Sequence, residues 1–504
     1  MRPLLERALE PLADNAELAA ALDAAPSEIR ASVPLVFACS DFVSQCCARN
    51  PGLLIDLLES GDLRRRLRRP DFIAHAPAIT LEGQASPVPE PEFIAALRRW
   101  RKREMVRIAW RDLAGWASLE ETLSELSVFA DSAIQVAQEH ARHALAARYG
   151  EPRSPSGEVQ QLVVVGMGKL GGGELNFSSD VDLVFLFPEH GETDGARPIE
   201  NEEFFTRLGQ GLIRLLESPT HDGLVFRVDM RLRPFGDSGA LVSSFASFED
   251  YLQRHGRDWE RYAYVKARAI TAADRYAEIY ANAVRPFVYR RYVDYGVFES
   301  LREMKLLIER EVERRELADH VKLGPGGIRE IEFVVQAFQL IRGGRLKRLQ
   351  TVSLLEALPL LDGSRLLPPN VVLELHAAYV YLRRLENRIQ MLADAQEHQL
   401  PKDEIARSRI ALAMGVADWT TLLAELDSHS QHVIRHFKTV VFIGTQDSDL
   451  GAVKMDFGRF WDSQAEEAAL AESLSNAGMR EPNEAARLLL ELRASGAVRK
   501  LDEP

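Results

Sequence analysis

The sequence has little of what several function classes require. It holds three cysteines in 504 residues, Cys39, Cys46 and Cys47, all in one apolar stretch. Neighbouring cysteines such as Cys46 and Cys47 cannot easily bridge each other, and no Cys/His spacing suits zinc. A reduced, cytoplasmic setting fits this usage best. Positive charge is not in excess: 62 Lys and Arg stand against 75 Asp and Glu, a formal net charge of −13. A general nucleic-acid-binding surface needs clustered cations, so this balance argues against one while leaving room for a small basic pocket. No apolar run approaches membrane-spanning length, and the first ten residues carry acids early rather than the apolar core of a signal peptide.

What remains is ordinary soluble composition, 46% hydrophobic and 27% charged, in a chain long enough for two to four domains. Residues 1–150 read as helical. Ser40 and Asp41 open an apolar-periodic stretch, Pro51 starts a new helix, and residues 92–149 show helical spacing after a Pro-rich break at 76–91. The cations around Trp100 (Arg98, Arg99, Arg101, Lys102, Arg103) read as a solvated helix face. Residues 151–270 change character. A β-branched run at 162–165, an apolar run at 181–187 and strand-like pieces at 223–229 and 240–244 surround a helix at 201–216, the mixture of an α/β unit. Residues 271–445 return to helix, with candidates at 300–319, 328–341, 370–393 and two within 405–442. Residues 446–504 read as a helical, acidic linker, so the chain is expected to be part of a longer protein.

The chemistry concentrates in Gly166-Met-Gly168-Lys169-Leu-Gly171-Gly172-Gly173-Glu-Leu-Asn176-Phe177-Ser178-Ser179-Asp180-Val-Asp182. A glycine-rich turn after a strand lets backbone N–H groups approach phosphate oxygens. Gly168, Gly171 and Gly172 are the candidates for that approach, with Lys169 as a cation and Ser178 and Ser179 as hydroxyl donors. Asp180 and Asp182 stand two apart, so in a strand they share a face and could bind a hard cation. Asp229 is the candidate third carboxylate on a neighbouring strand. Alternation over 227–233 would put Arg227, Arg231 and Arg233 on the same face, and arginine suits phosphate oxygens. Gly-x-Gly-x-x-Gly is literally present at 166–171. A dinucleotide-binding reading nonetheless fails on Gly172 and Gly173, which break the required helix, and on the early acid pair. The residues by themselves support metal-assisted nucleotidyl transfer.

These residues resemble the signature of the glutamine synthetase adenylyltransferase/adenylyl-removing enzyme family, within the DNA polymerase β-like nucleotidyltransferases. Arg227-Val-Asp229-Met-Arg-Leu-Arg-Pro234, Tyr262-Ala-Tyr-Val-Lys266-Ala-Arg268, Lys322-Leu-Gly-Pro-Gly-Gly-Ile-Arg-Glu330-Ile-Glu332-Phe and Leu385-Glu-Asn-Arg-Ile-Gln390 match as well, as do Ser40-Asp-Phe-Val43 and His398-Gln-Leu-Pro401. The resemblance runs from about residue 35 to 489. It implies an α+β, predominantly helical fold: a polymerase β-like domain with a small mixed sheet, flanked by N-terminal helices and a C-terminal helical bundle. Family members are tandem enzymes with two such halves. Gly173 and Asn176-Phe177-Ser178 look like the N-terminal half, which removes AMP from glutamine synthetase by phosphorolysis and releases ADP. The resemblance also implies Mg²⁺ or Mn²⁺ on Asp180, Asp182 and Asp229, nucleotide (ADP or ATP) and phosphate as reactants, and control by uridylylated PII protein, glutamine and 2-oxoglutarate. Two other readings stay open: the same half running adenylylation from ATP, and a non-catalytic module binding nucleotide or PII. Lys266, Glu330 and Glu332 are further site candidates, although acids two apart on a helix do not share a face and helix-start acids also suit the macrodipole. His221, His255 and His398 read as ordinary surface residues.

Overall fold

The computed structural model describes residues 16–83, 86–290 and 320–446. The candidate helix at 300–319 and the proposed linker beyond 446 lie outside these. Contacts divide the chain into two units, residues 1–435 and 436–504. The sheet, the helices packed on it and the candidate site all belong to the first.

Among the described residues seven α-helices come first: α1 Ala16–Ala24, α2 Ser27–Cys39, α3 Asp41–Arg49, α4 Pro51–Glu59, α5 Arg69–Ala74, α6 Glu90–Leu113 and α7 Leu119–Tyr149. The expected caps are present. Ser40 Oγ accepts from Val43 N at 3.2 Å and starts α3, and Pro51 takes the first position of α4, where its missing N–H costs nothing.

The α/β unit comes next, with β1 Pro152–Arg153, β2 Val163–Gly166, the single turn α8 Gly168–Gly171, β3 Val181–Phe187, β4 Glu192–Thr193, α9 Asn201–Glu217, β5 Val228–Asp229, β6 Val242–Ser244, α10 Phe245–Arg254, α11 Asp258–Tyr264 and β7 Arg268–Ala269. Five strands make one mixed sheet. β3 pairs antiparallel with β2, and β2 antiparallel with β7. β5 and β6 run parallel to β3, β5 against its beginning and β6 against its end. β3 is buried throughout except at Asp182, as a central strand covered on both faces should be. On one side lies α9, whose Phe204, Leu208, Leu212 and Leu215 recur at helical spacing and are buried.

The second helical region comprises α12 Ala273–Ile279, α13 Arg285–Val288, α14 Ile328–Arg342, α15 Leu354–Gly363, α16 Pro369–Met391 and α17 Glu404–Met414; a last helix, α18 Trp419–Gln446, crosses into the second unit. The predominantly helical α+β fold is as expected from sequence.

The antiparallel β2–β3 pair agrees with the rejection of a dinucleotide fold, which needs a parallel β-α-β unit. Three local expectations need correcting. The strand expected over 223–229 shrinks to Val228–Asp229. Beyond Asp229 the chain turns, so Arg231 and Arg233 do not continue a strand face. The cations near Trp100 are not all solvated. Arg98 is fully buried and donates to the carbonyls of Leu215 (2.7 Å) and Ser218 (2.6 Å), which end α9. Orphan carbonyls at a helix end need donors, and a guanidinium supplies several. Arg101, also buried, donates to Val225 O and pairs with Asp394.

Candidate active site

The site forms where β3 begins. Asp182 and Asp229 are register partners in the parallel β3–β5 pair, so two carboxylates stand side by side on adjacent strands. Asp180 lies just before β3. Its Oδ1 accepts from Arg227 Nε at 2.5 Å and its Oδ2 from Gln396 Nε2 at 2.9 Å. Asp229 is clasped by Arg231, whose Nε lies 3.0 and 2.9 Å from the two carboxylate oxygens. That hydrogen bonding, working against burial, holds Asp229 below the ordinary carboxylate range. Asp182 goes the other way. Burial first, then the charges of Asp229 and Asp180, push it up to about 6, while Lys322 and Lys169 pull it down.

The glycine turn is shaped by contact with these acids. Gly168 has φ +54°, and a Cβ there would stand 2.6 Å from Asp182 Oδ2. A Cβ at Gly171 would fall 1.7 Å from the Lys266 carbonyl. Met167 N donates to Asp182 O at 2.9 Å and ties the turn to β3. The N–H groups of Gly171 and Gly172 are spent inside the turn, on Met167 O and Gly168 O. Those heading it, at Gly168 and Lys169, are not spent in this way.

Lys169 is buried, with Nζ 3.0 Å from Glu386 Oε1 of α16. Burial pulls its pKa down to about 7 against the charge of Glu386. Glu386 is fully buried, yet Lys169, His398 and Arg383 outweigh that burial and hold it well below the ordinary range. His398 is therefore not an ordinary surface residue: its Nδ1 lies 2.8 Å from Glu386 Oε1 and its ring stacks on His320.

The same helix holds the loop after the glycine turn. Asn387 Oδ1 accepts from Phe177 N and Gln390 Oε1 from Ser178 N, both at 3.0 Å. Ser178 O accepts from Arg227 Nη2 at 2.7 Å. Ser178 is thus a buried, structurally engaged residue, and half-buried Ser179 stands between it and Asp180. Glu174 is buried too and accepts from Ser353 Oγ, Leu355 N and Tyr379 OH.

Lys266 Nζ donates to Glu332 Oε1 at 2.7 Å. Lys266 and neighbouring lysines hold Glu332 down at about 2 despite its burial. Glu332 is a half-buried ion-pair member rather than a solvated helix-start acid. Glu330 is half-buried and, two residues earlier on α14, lies off that pair's face. Arg233 Nη1 donates to Met230 O at 2.8 Å and braces the loop after β5.

The sequence assigns no site role to Glu386, Asn387 and Gln390, although they lie within the Leu385–Gln390 match, nor to Gln396. The available signal for the first three is their spacing at i, i+1 and i+4, which brings all three into the buried part of α16. Lys322 also receives no role from sequence, though its charge reaches Asp182, Lys169 and Glu332.

A family model described as glutamate-ammonia ligase adenylyltransferase matches residues 31–283. The chain belongs to this family. A second model, GlnD PII-uridylyltransferase, matches residues 302–441. Curated relatives named bifunctional glutamine synthetase adenylyltransferase/adenylyl-removing enzyme include one from Thioalkalivibrio sulfidiphilus, 45% identical over 471 residues, covering 92% of this chain and 48% of that protein. Another, from Nitrosococcus oceani, is 47% identical over 474 residues, covering 93% and 48%. A third, from Pseudomonas aeruginosa, is 44% identical over 493 residues, covering 97% and 50%. The chain spans about half the length of these relatives.

Among the described residues no group of three or more His, Cys, Asp or Glu side chains is gathered as a metal cage. No single helix in them is long and apolar enough to cross a membrane. The donor chemistry at β3 and β5 does suit a hard divalent cation: two carboxylates are register-paired with a third at hand, and burial, then their mutual repulsion, raises Asp182.

Proposed function

We propose that this chain removes AMP from glutamine synthetase by phosphorolysis. The observation that carries the reading is the register pairing of Asp182 with Asp229 beside the glycine turn. Asp180, Asp182 and Asp229 would hold Mg²⁺ or Mn²⁺. Bound there, the cation would neutralise charge on the phosphoryl oxygens. Arg231 would turn from Asp229 toward the incoming phosphate, and its planar fork suits that anion. The N–H groups of Gly168 and Lys169 would face the α-phosphoryl oxygens. Lys169 itself positions the turn through Glu386. An oxygen of hydrogen phosphate forms the bond to the α-phosphorus while the bond to the tyrosyl oxygen breaks. The phosphate proton ends on tyrosine, and ADP leaves. Catalysis on this reading is positioning and charge neutralisation.

The direction, removal rather than addition, rests on the resemblance of Gly173 and Asn176-Phe177-Ser178 to the N-terminal half of family members. The substrate is taken from the printed names of the relatives. Control by uridylylated PII and a cytoplasmic location are part of the same reading; it includes no nucleic acid or membrane partner. Adenylylated glutamine synthetase, incubated with the chain, Mg²⁺ and phosphate, should release ADP in proportion to phosphate. Label transfer from ATP onto unmodified glutamine synthetase, with no phosphate-dependent release, would reverse the direction. Binding of PII without turnover in either assay would make this half a regulatory module.

A further inference from the structure

A cavity of about 670 Å³ lies where α3 and α4 meet α6 and the turn at 220–223. Its size falls within the roughly 300–1,000 Å³ of small-molecule sites. Arg49, Arg99, Lys102 and His221 line it, against Asp41 and Asp222. Both acids are already engaged. Asp41 takes two guanidinium nitrogens of Arg409 at 2.8 and 2.6 Å. Asp222 accepts from Lys102 at 2.6 Å and faces His221 at 3.0 Å. Arg49 and Arg99 have no hydrogen-bond or ion-pair partner among the described residues. Two guanidinium groups lining one concavity can both donate to the oxygens of one anion. Phe42 and Leu53 add an apolar wall for the body of such a molecule.

The cavity adjoins the catalytic loop. The Phe42 ring meets Phe177 edge-on, centroids 5.7 Å apart. Asp41 N and Phe42 N both donate to Leu392 O, at 2.8 and 3.2 Å. Ala393 lines the cavity, and three residues further on Gln396 donates to Asp180. None of these links involves Arg49 or Arg99.

We infer that this cavity is a binding site for a small anionic molecule whose carboxylate or phosphate oxygens are taken by Arg49 and Arg99. The inference does not depend on the direction of the reaction. It is tested by calorimetric titration of the whole chain with inorganic phosphate, succinate and citrate in turn. The variants are Arg49→Gln/Arg99→Gln and, as a control at the catalytic site, Arg231→Ala. At least one probe should bind at millimolar concentration or below. The double variant should lose tenfold or more in affinity, Arg231→Ala should retain it, and basal turnover of the double variant should stay at the wild-type rate. Binding by phosphate alone would mark a phosphate-bearing ligand, and binding by succinate or citrate a carboxylate. No binding by any probe, equal affinity in the double variant, or loss only in Arg231→Ala would each overturn the assignment.

Discussion

Lys169 of the glycine turn and Glu386 of α16 form a buried ion pair, Nζ to Oε1 3.0 Å, across 217 residues of sequence. The pair joins the α/β unit to the second helical region at the point where the turn leans on Asp182. A lysine in a glycine-rich turn suggests a hand on phosphate. Here its ammonium is held from behind, and the turn, not the ammonium, faces the carboxylates.

Glu386→Ala should therefore destabilise the protein strongly. Removing one partner leaves a buried ammonium uncompensated, which costs about 3–5 kcal/mol. Lys169→Met/Glu386→Met, which removes both charges of the pair but leaves Arg383 and His398 without their carboxylate, should recover only part of that loss. Denaturant titrations of both single variants and the double variant give the coupling. Additive losses would show that the two groups do not act as a pair.

Gly168→Ala should abolish turnover while costing little stability. The positive φ alone costs on the order of 1 kcal/mol for alanine. The added methyl, however, would stand 2.6 Å from Asp182 Oδ2, so the carboxylate must move. Phosphate-dependent ADP release and a thermal melt on the same preparation check both halves. Activity within twofold of wild type would mean that Asp182 tolerates displacement.

Much of this is legible in the sequence, for reasons that differ by element. β3 shows as Val181–Phe187 because a buried central strand is almost wholly apolar, so its one acid stands out. Asp229 can be found because the sequence alternates there, Phe226 and Val228 against Arg227 and Asp229, although only Val228–Asp229 forms β5. Arg231 and Arg233 are misplaced by the same pattern because the chain turns immediately afterwards, and alternation has no meaning in a turn. Arg98 reads as solvated because charge patterning cannot see that the end of α9, more than a hundred residues away, needs donors for its carbonyls. Glu386, Asn387 and Gln390 are invisible as a site for the same reason. Their partners, Lys169, Phe177 and Ser178, lie in another part of the chain, and only the fold joins them.

Asp182→Asn should raise stability at pH 7 while it removes activity. The folded carboxyl sits near 6, above the 3.8 of an unperturbed aspartate. Between those values the native state holds more proton than the unfolded state, so this group's contribution falls as pH rises through the window. At neutral pH the ionised Asp182 therefore costs on the order of 3 kcal/mol in chelator-treated protein. Asparagine removes that charge. Melting curves at pH 5 and pH 7 with a chelator present should show the variant's advantage growing with pH. A variant less stable than wild type at pH 7 would contradict the origin given for the raised pKa. Turnover of the wild type should fall as pH drops through about 6, because protonated Asp182 no longer attracts a cation.

Lys322 is the cation best placed to take over the part that Lys169 does not play. It stands half-buried in the turn before α14. No ion pair engages its side chain among the described residues, whereas Lys169 and Lys266 are each bound to a glutamate. Its charge nevertheless acts on Asp182 more strongly than that of Asp180 or Lys169. A free ammonium next to clustered carboxylates can meet a phosphoryl oxygen without first breaking a buried pair. Lys322→Ala should therefore lower turnover by about two to three orders of magnitude, the usual size of a lost donor to charge developing in a transition state. Its melting temperature should stay close to wild type, since no salt bridge is lost. Lys322→Arg should restore part of the rate. Steady-state kinetics with varied phosphate separate the two ways this could show. A rise in KM alone would place the ammonium on the incoming phosphate, and a fall in kcat on the transferring group. An unchanged rate in Lys322→Ala would return the role to Lys169 and require the Glu386 pair to open during the reaction.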